Sequence, residues 1–349
     1  MMEDEGPGCG AGTPKRWLVR DSLGRSHGWL LTLGLYLAIF AVFSVFSNNF
    51  FTIRSLLNLL VQTSTITILS IGSALVLIVG GVDFSLGAVI ALSGTAVVVC
   101  AVTGTPIWLS MIVAMSLGGV VGIANGFLVA RLRLPSFMAT VAVATLLHGL
   151  LGAFGAFAAS HPPPFPLPDS LGDLANDRVF KIFSQDAEGK RMMIFPGVSW
   201  IVVIMVFVAL FFHVILAKTR IGRYLYVVGS SQGAAHFSGI DVIRVKILAY
   251  ALAGLLAGLV GVLLASRMMG PPGGAAGYEM IGIICAMIGG ASLLGGRGSV
   301  IGTVIGSFIL STLSMGLTMM NSDKEYVPML LNGLVVLLAV YLDQRRASR

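Results

Sequence analysis

Long apolar stretches separated by short polar segments recur along most of the chain. A helix needs about 20 mainly apolar residues to cross the hydrocarbon core of a bilayer. The pattern therefore predicts ten membrane-spanning helices, at residues 28–46, 56–79, 86–103, 107–130, 136–159, 197–216, 246–266, 279–292, 299–318 and 327–342. The eighth stretch is short and interrupted by glycines, which predicts a broken or tilted helix.

The composition also indicates that most of the chain is surrounded by lipid and not by water. Charged residues make up only 11% of the 349 positions and hydrophobic residues 56%, and a soluble chain of this length needs more charge to cover its surface. We expect a polar cytoplasmic N-terminal tail at 1–26, unlike a cleaved signal peptide. A single all-α integral membrane domain at 27–345 follows it.

The basic residues indicate the orientation, because Lys and Arg concentrate in cytoplasmic segments. An even number of spans with both termini in the cytoplasm places most of them inside: Lys15, Arg16, Arg20, Arg25, Arg131, Arg133, Lys218, Arg220, Arg223, Arg244, Lys246, Arg297, Arg345, Arg346 and Arg349. The minority lies outside: Arg54, Arg178, Lys181, Lys190, Arg191, Arg267 and Lys324. Residues 160–196 then form an external loop, and residues 217–245 a cytoplasmic loop with a helical stretch around Ser231–Ser238.

Several kinds of function find no support in the sequence. The net charge of +7 lies at membrane edges, which indicates contact with anionic lipid and not with nucleic acid. Cys9, Cys100 and Cys285 lack the spacing of a disulfide framework or a metal site. No HExxH motif and no clustered Ser, His and Asp set at membrane depth is present, so we expect no catalytic residues, no metal site and no enzyme.

The sequence also lacks an obvious energy source. It has no GxxxxGK[ST] loop for nucleotide phosphates. Asp83 is nearly the only acid close to a span interior, and His148 and His213 stand alone on apolar helices. A proton relay usually needs several such groups. Either a separate subunit supplies the energy, or the chain is a facilitative or ion-coupled carrier.

Five motifs, in order along residues 55–345, resemble those of one transporter family. They read GGVDFSLGAVIALSG at 80–94, RLRLPSFMAT at 131–140, GRYLYVVGSSQGAAHFSGI at 222–240, IICAMIGGASLLGGRGSVIGTVIGSF at 283–308 and NGLVVLLAVYLDQRR at 332–346. The chain resembles the permease subunits of ribose-, xylose- and arabinose-type ATP-binding-cassette sugar importers, within the branched-chain amino-acid/sugar permease superfamily.

The resemblance implies a fold, partners and a cargo. The fold is that of the vitamin B12 importer class, with about ten transmembrane helices in the bacterial inner membrane. The partners are a second permease copy or paralogue, a cytoplasmic ATPase that binds the ATP and Mg, and a periplasmic sugar-binding protein. The cargo is a monosaccharide or sugar-like polyol, and this chain itself holds no cofactor. The loop at 160–196 is longer and more polar than is usual in the family.

Two sets of residues are candidates for transport. The first is a translocation path of polar side chains in or next to apolar spans: Thr63, Ser64, Thr65, Asp83, Ser85 and Asn125. As an alternative, Asp83 and Ser85 cap the start of the third span. The second set would couple the ATPase to gating: Gly222, Arg223, Gly229, Gln232, Ala235, Ser238 and Gly239. The alternative there is an ordinary positively charged loop.

Glycine patterns predict close helix packing. Gly118, Gly122 and Gly126 lie four residues apart on the fourth span, and Gly254 and Gly258 on the seventh. Small residues at this spacing let helix backbones approach in lipid. We expect packing within one subunit, with a dimer seam as the alternative. The Gly-Gly pairs that begin 80–87 and 289–296 hint at an internal repeat.

Overall fold

The chain folds into a bundle of helices with one small mixed segment. A computed structural model describes residues 28–47, 49–160, 167–185, 191–273, 275–320 and 333–334. The helices are α1 (Gly28–Phe46), α2 (Ile53–Ile78), α3 (Leu86–Val102), α4 (Ile107–Ala130), α5 (Ser136–Ser160), α6 (Asp169–Asn176), α7 (Trp200–Lys218), α8 (Arg220–Ser230), α9 (Gln232–Phe237), α10 (Val242–Met268), α11 (Tyr278–Ile288) and α12 (Val300–Met320). The strands are β1 (Arg178–Val179), β2 (Ile182–Gln185), β3 (Arg191–Phe195) and β4 (Val198–Ser199).

The described helices confirm a multi-pass membrane protein. Within the described ranges, six helices are long and apolar enough to cross a membrane: α2, α4, α5, α7, α10 and α12. Three apolar helices are shorter, namely the Thr32–Phe46 part of α1, then α3 and α11. The predicted spans at 28–46 and 107–130 have the bounds of α1 and α4. The tail at 1–26 and all but two residues of the span at 327–342 lie outside the described residues, so the total of ten stays a prediction.

The predicted span at 279–292 is shorter than a full crossing. Helix α11 has 11 residues, which is about 16 Å of helix, whereas the hydrocarbon core is about 30 Å thick. The helix ends at Ile288, and Gly289 and Gly290 follow it. The prediction of a broken helix is therefore confirmed, and its cause is the glycine pair.

Helix α10 is the centre of the bundle and packs against α4, α3 and α2. Its contact with α4 is made by the two glycine series. A Cβ at Gly118 would overlap the Gly254 carbonyl oxygen, and one at Gly122 would overlap that of Tyr250. The prediction of packing within one subunit is confirmed, because no side chain fits between these backbones.

Helices α2 and α11 end in the same way. Gly80 and Gly290 adopt φ of 76° and 94°, and the next amide in each case, Gly81 or Ala291, donates to the carbonyl five residues back. This is the Schellman ending, which needs a left-handed residue. Helices α3 and α9 end identically at Gly104 and Gly239, so the shared ending is general and gives no support to an internal repeat.

The segment at 160–196 and the residues directly after it hold strands that the all-α prediction missed. Strands β1 and β4 pair antiparallel, as do β2 and β3. They are two to five residues long, too short for alternation to be read from sequence. Helix α6 docks on the bundle through fully buried Leu171, and the Ala175 amide donates to Ser266 Oγ at 3.1 Å.

Candidate functional site

The segment between α2 and α3, residues 79–85, is held in place by side chains from two other helices. The Val82 amide donates to Ser136 Oγ at 3.3 Å and the Phe84 amide to Thr140 Oγ1 at 3.0 Å. Tyr250 of α10 donates its hydroxyl proton to the Val82 carbonyl at 3.2 Å. Each bond satisfies a backbone group that the interrupted helix leaves unpaired.

Three of the predicted path residues meet within this segment. Asp83, Ser85 and Asn125 are 2%, 0% and 0% exposed. Asp83 Oδ1 accepts from the Ser85 amide at 2.9 Å and from the Ser85 hydroxyl at 2.7 Å. Asn125 Nδ2 donates to Ser85 Oγ at 2.6 Å and, weakly, to Asp83 Oδ1 at 3.5 Å. We call these three side chains the Asp83 cluster.

The alternative that Ser85 caps α3 is wrong. Ser85 is the N-cap residue, but its side chain accepts no bond from the helix, because the hydroxyl is used within the cluster. Asp83 accepts a hydrogen bond from the amide of Ser85. That amide belongs to the N-cap residue and not to the first turn of α3. Asp83 Oδ2 and Asn125 Oδ1 are buried and accept no bond from any described residue, so the cluster keeps two unused acceptors.

Thr63, Ser64 and Thr65 lie elsewhere on α2. They precede Ile78 by about 20 Å of helix, so they do not join the Asp83 cluster. Ser64 Oγ and Thr65 Oγ1 donate to carbonyls of their own helix, at 2.6 and 3.0 Å. Burial is complete for Thr63 and Ser64 and nearly so for Thr65.

Thr65 does line a cavity of about 430 Å³ near the C-terminal end of α10. We call it the Arg267 cavity. Its polar lining, which includes residues that the sequence did not single out, consists of Gln62, Thr65, Arg267, Tyr278, Ser311 and Ser314. These groups donate and accept hydrogen bonds, as binding of a hydroxyl-rich molecule requires.

Helices α8 and α9 carry most of the predicted coupling residues, and Ser238 and Gly239 directly follow α9. Thr219 Oγ1 accepts the Gly222 amide at 3.3 Å to start α8, and Ser231 Oγ accepts the Ala234 amide at 3.2 Å to start α9. The predicted helix around Ser231–Ser238 is thereby confirmed. We call the outward face of the two helices the α8–α9 surface.

The predicted coupling residues divide between the two sides of these helices. Gly222 and Ala235 are buried and Gly229 is half-buried, so these three pack the helices onto the bundle. The exposed members are Arg223, Gln232, Ser238 and Gly239. Sequence reasoning missed Phe237, which is 92% exposed; the signal was an aromatic side chain ending an otherwise small and polar helix.

Gly229 brings α8 into contact with the ends of two other elements. A Cβ there would overlap the Ile78 carbonyl oxygen, and that same oxygen accepts the Gly296 amide at 2.9 Å. The Tyr226 hydroxyl donates to the Gly298 carbonyl at 2.8 Å, and burial raises the pKa of Tyr226, which keeps this donor protonated. We call this contact of α8, the end of α2 and residues 294–298 the Gly229 joint.

Long apolar helices, a polar cluster inside the bundle and a capped helix pair at one end together define a multi-pass membrane protein. Among the described residues, no three His, Cys, Asp or Glu side chains are placed to hold a metal ion. The chain belongs to the family described as branched-chain amino acid transport system / permease component, whose profile matches residues 55–340.

The relatives most similar in this comparison include import permeases for sugars. The ribose import permease protein of Escherichia coli K12 is 34% identical over 327 residues, covering 92% of this chain and 96% of that protein. The fructose import permease protein of Rhizobium meliloti is 31% identical over 319 residues, covering 90% of this chain and 84% of that protein. No solved structure matches the chain.

Proposed function

We propose that the chain is the membrane-spanning permease subunit of an ATP-binding-cassette importer. It would form the path for a monosaccharide or sugar-like polyol that an external binding protein delivers. The observation that carries this proposal is similarity to sugar import permeases over nearly the whole length of both chains. The finer features belong to the same proposal: ten helices in a vitamin B12 importer-like fold, both termini in the cytoplasm, and a second permease copy or paralogue.

The α8–α9 surface is the proposed docking site for the separate ATPase. Movement of α9 would reach α8 through the short connection at Ser231 and then the Gly229 joint. From the joint the movement would be transmitted to residues 79–85, which directly follow Ile78, and to the loop before α12. Packed backbones transmit a displacement because they have little room to deform.

The translocation path would involve the Asp83 cluster and the Arg267 cavity. Supporting this, an ionisable side chain buried inside a membrane protein is rare and commonly marks function. Asp83→Asn keeps an oxygen at the Oδ1 position but removes the charge. Normal membrane yield with lost uptake would support the path role, whereas low yield would indicate a purely structural one.

Reconstitution tests the importer proposal. Vesicles that contain the chain with its ATPase, supplied with the binding protein and ATP, should accumulate labelled sugar, and vesicles without ATP should not. Uptake by the purified chain alone would overturn the proposal and favour the facilitative or ion-coupled carrier. Thermal-shift screening of the binding protein against monosaccharides and polyols would identify the cargo.

Cross-linking tests the docking site. A cysteine at Phe237, which is exposed, should form an adduct with the ATPase. A cysteine at Ala235, which is buried on the same helix, is the matched control and should form none. Absence of an adduct at Phe237 in an assembled, ATP-hydrolysing complex would count against docking at this surface.

A further inference from the structure

A cavity of about 670 Å³ lies where α4 ends and α10 begins. We call it the Lys246 cavity. Gly80 and Gly81 of the segment 79–85 form one part of its wall, and Gln232 and Gly233 of α9 form another. The Arg267 cavity lies toward the other end of α10, since Lys246 and Arg267 are about 32 Å apart along the helix axis.

The charged side chains that line this cavity are all basic. Arg133, Lys246 and His236 all face it, and no Asp or Glu is among the described residues that line it. Asp241, the acid at the start of α10, pairs with Arg244 at 3.0 Å. The cavity thus offers one guanidinium, one ammonium and one imidazole group, without a described acidic partner in its wall.

Much of the remaining wall is apolar, formed in part by Val129, Leu134, Val242 and Ile243. Lys246 lies only about 6 Å along the axis from the first residue of α10, which places its charge near the boundary between hydrocarbon and headgroups. Other basic residues occupy the same end of the bundle: Arg131, Lys218, Arg220, Arg223 and Arg244. A ligand that fits combines an anionic group with an apolar portion at headgroup depth.

We propose that the Lys246 cavity binds the phosphate of an anionic phospholipid headgroup. Basic pockets between transmembrane helices suit such headgroups, because each cation near the surface strengthens the attraction. Guanidinium and ammonium groups both donate charge-assisted bonds to phosphate oxygens. A bound headgroup would contact both the segment 79–85 and α9. This assignment does not depend on the transported molecule or on import.

Lipid retention measures the binding. The protein is equilibrated in detergent with equimolar phosphatidylglycerol and phosphatidylcholine, and the retained lipids are quantified by mass spectrometry. The wild type should retain phosphatidylglycerol preferentially, and Arg133→Gln/Lys246→Gln should lower that retention at least about tenfold. Arg131→Gln/Arg220→Gln removes the same charge from exposed positions at the same end and should retain the lipid. Arg133→Lys/Lys246→Arg should also retain it.

Three outcomes of the retention assay would overturn the assignment. They are equal retention of the two lipids by the wild type, equal losses in the two Gln double variants, and loss in the charge-conserving variant while the protein remains monodisperse. In a further measurement, inorganic phosphate is added to delipidated protein and the stability of the protein is followed. Stabilisation by millimolar phosphate, without any preference for phosphatidylglycerol, would identify free phosphate as the ligand and overturn the lipid assignment.

Discussion

At the scale of single residues, the space around each glycine decides what a substitution does. A Cβ at Gly229 would overlap the Ile78 carbonyl oxygen, and the Gly296 amide nitrogen would be 2.6 Å away. Gly233, four residues later, has only Ser231 Oγ at 4.0 Å. The same added methyl group therefore meets backbone at one position and open space at the other.

Gly229→Ala should destabilise the protein by about 1–3 kcal/mol, because extra volume in a packed site forces backbones apart. Gly233→Ala should be neutral or slightly stabilising, since Ala favours helix more than Gly does. Thermal unfolding of the detergent-solubilised variants measures both. Equal midpoints would show that the Gly229 joint is not tightly packed.

The Asp83 cluster makes a second prediction at this scale. Asp83→Ala leaves the Ser85 amide and hydroxyl without their acceptor, which should lower the free energy of unfolding by about 1–3 kcal/mol. Asp83→Asn should cost less, because its amide oxygen can accept the same bonds. The unfolding midpoints of the two variants measure this difference. A larger loss of stability for Asp83→Asn than for Asp83→Ala would contradict the prediction.

At the scale of elements, apolar periodicity and glycine spacing predict much of the bundle. The bounds of α1 and α4 follow from hydropathy, and the α4–α10 contact follows from Gly118, Gly122 and Gly254. Burial on α9 does not follow, because a six-residue helix has no measurable period, so buried Ala235 and exposed Phe237 could not be told apart. The predicted span at 56–79 already places Thr63 far from Asp83, but hydropathy does not reveal that Asn125 of α4 contacts Ser85.

The α4–α10 seam gives an element-scale prediction. Gly122→Ala should reduce stability by about 1–3 kcal/mol, because its Cβ would press on the backbone of Tyr250 and Ala251. Gly119→Ala on the same helix is the control, since its nearest contact is Leu255 Cβ at 4.0 Å. Fluorescence-detected size exclusion after heating compares the two, and similar losses would argue against the seam.

At the scale of the whole molecule, the prediction concerns which end faces the cytoplasm. Lys181 and Phe237 are both exposed and lie on either side of α7, so they should be on opposite faces of the membrane. In a chain with Cys9, Cys100 and Cys285 replaced, an impermeant maleimide should label Lys181→Cys in cells with a permeable outer membrane. Phe237→Cys should react only after the inner membrane is opened. The reverse pattern would invert the proposed orientation.

The Gly229 joint is made largely of main-chain atoms, and this has a consequence for building chimaeras. Side chains on the outward face of α8 and α9 take little part in it, so that face can be exchanged for one from another permease while the joint persists. We expect such a graft to change which ATPase the protein accepts without rebuilding its interior, provided that the glycines at 229, 295 and 296 are kept.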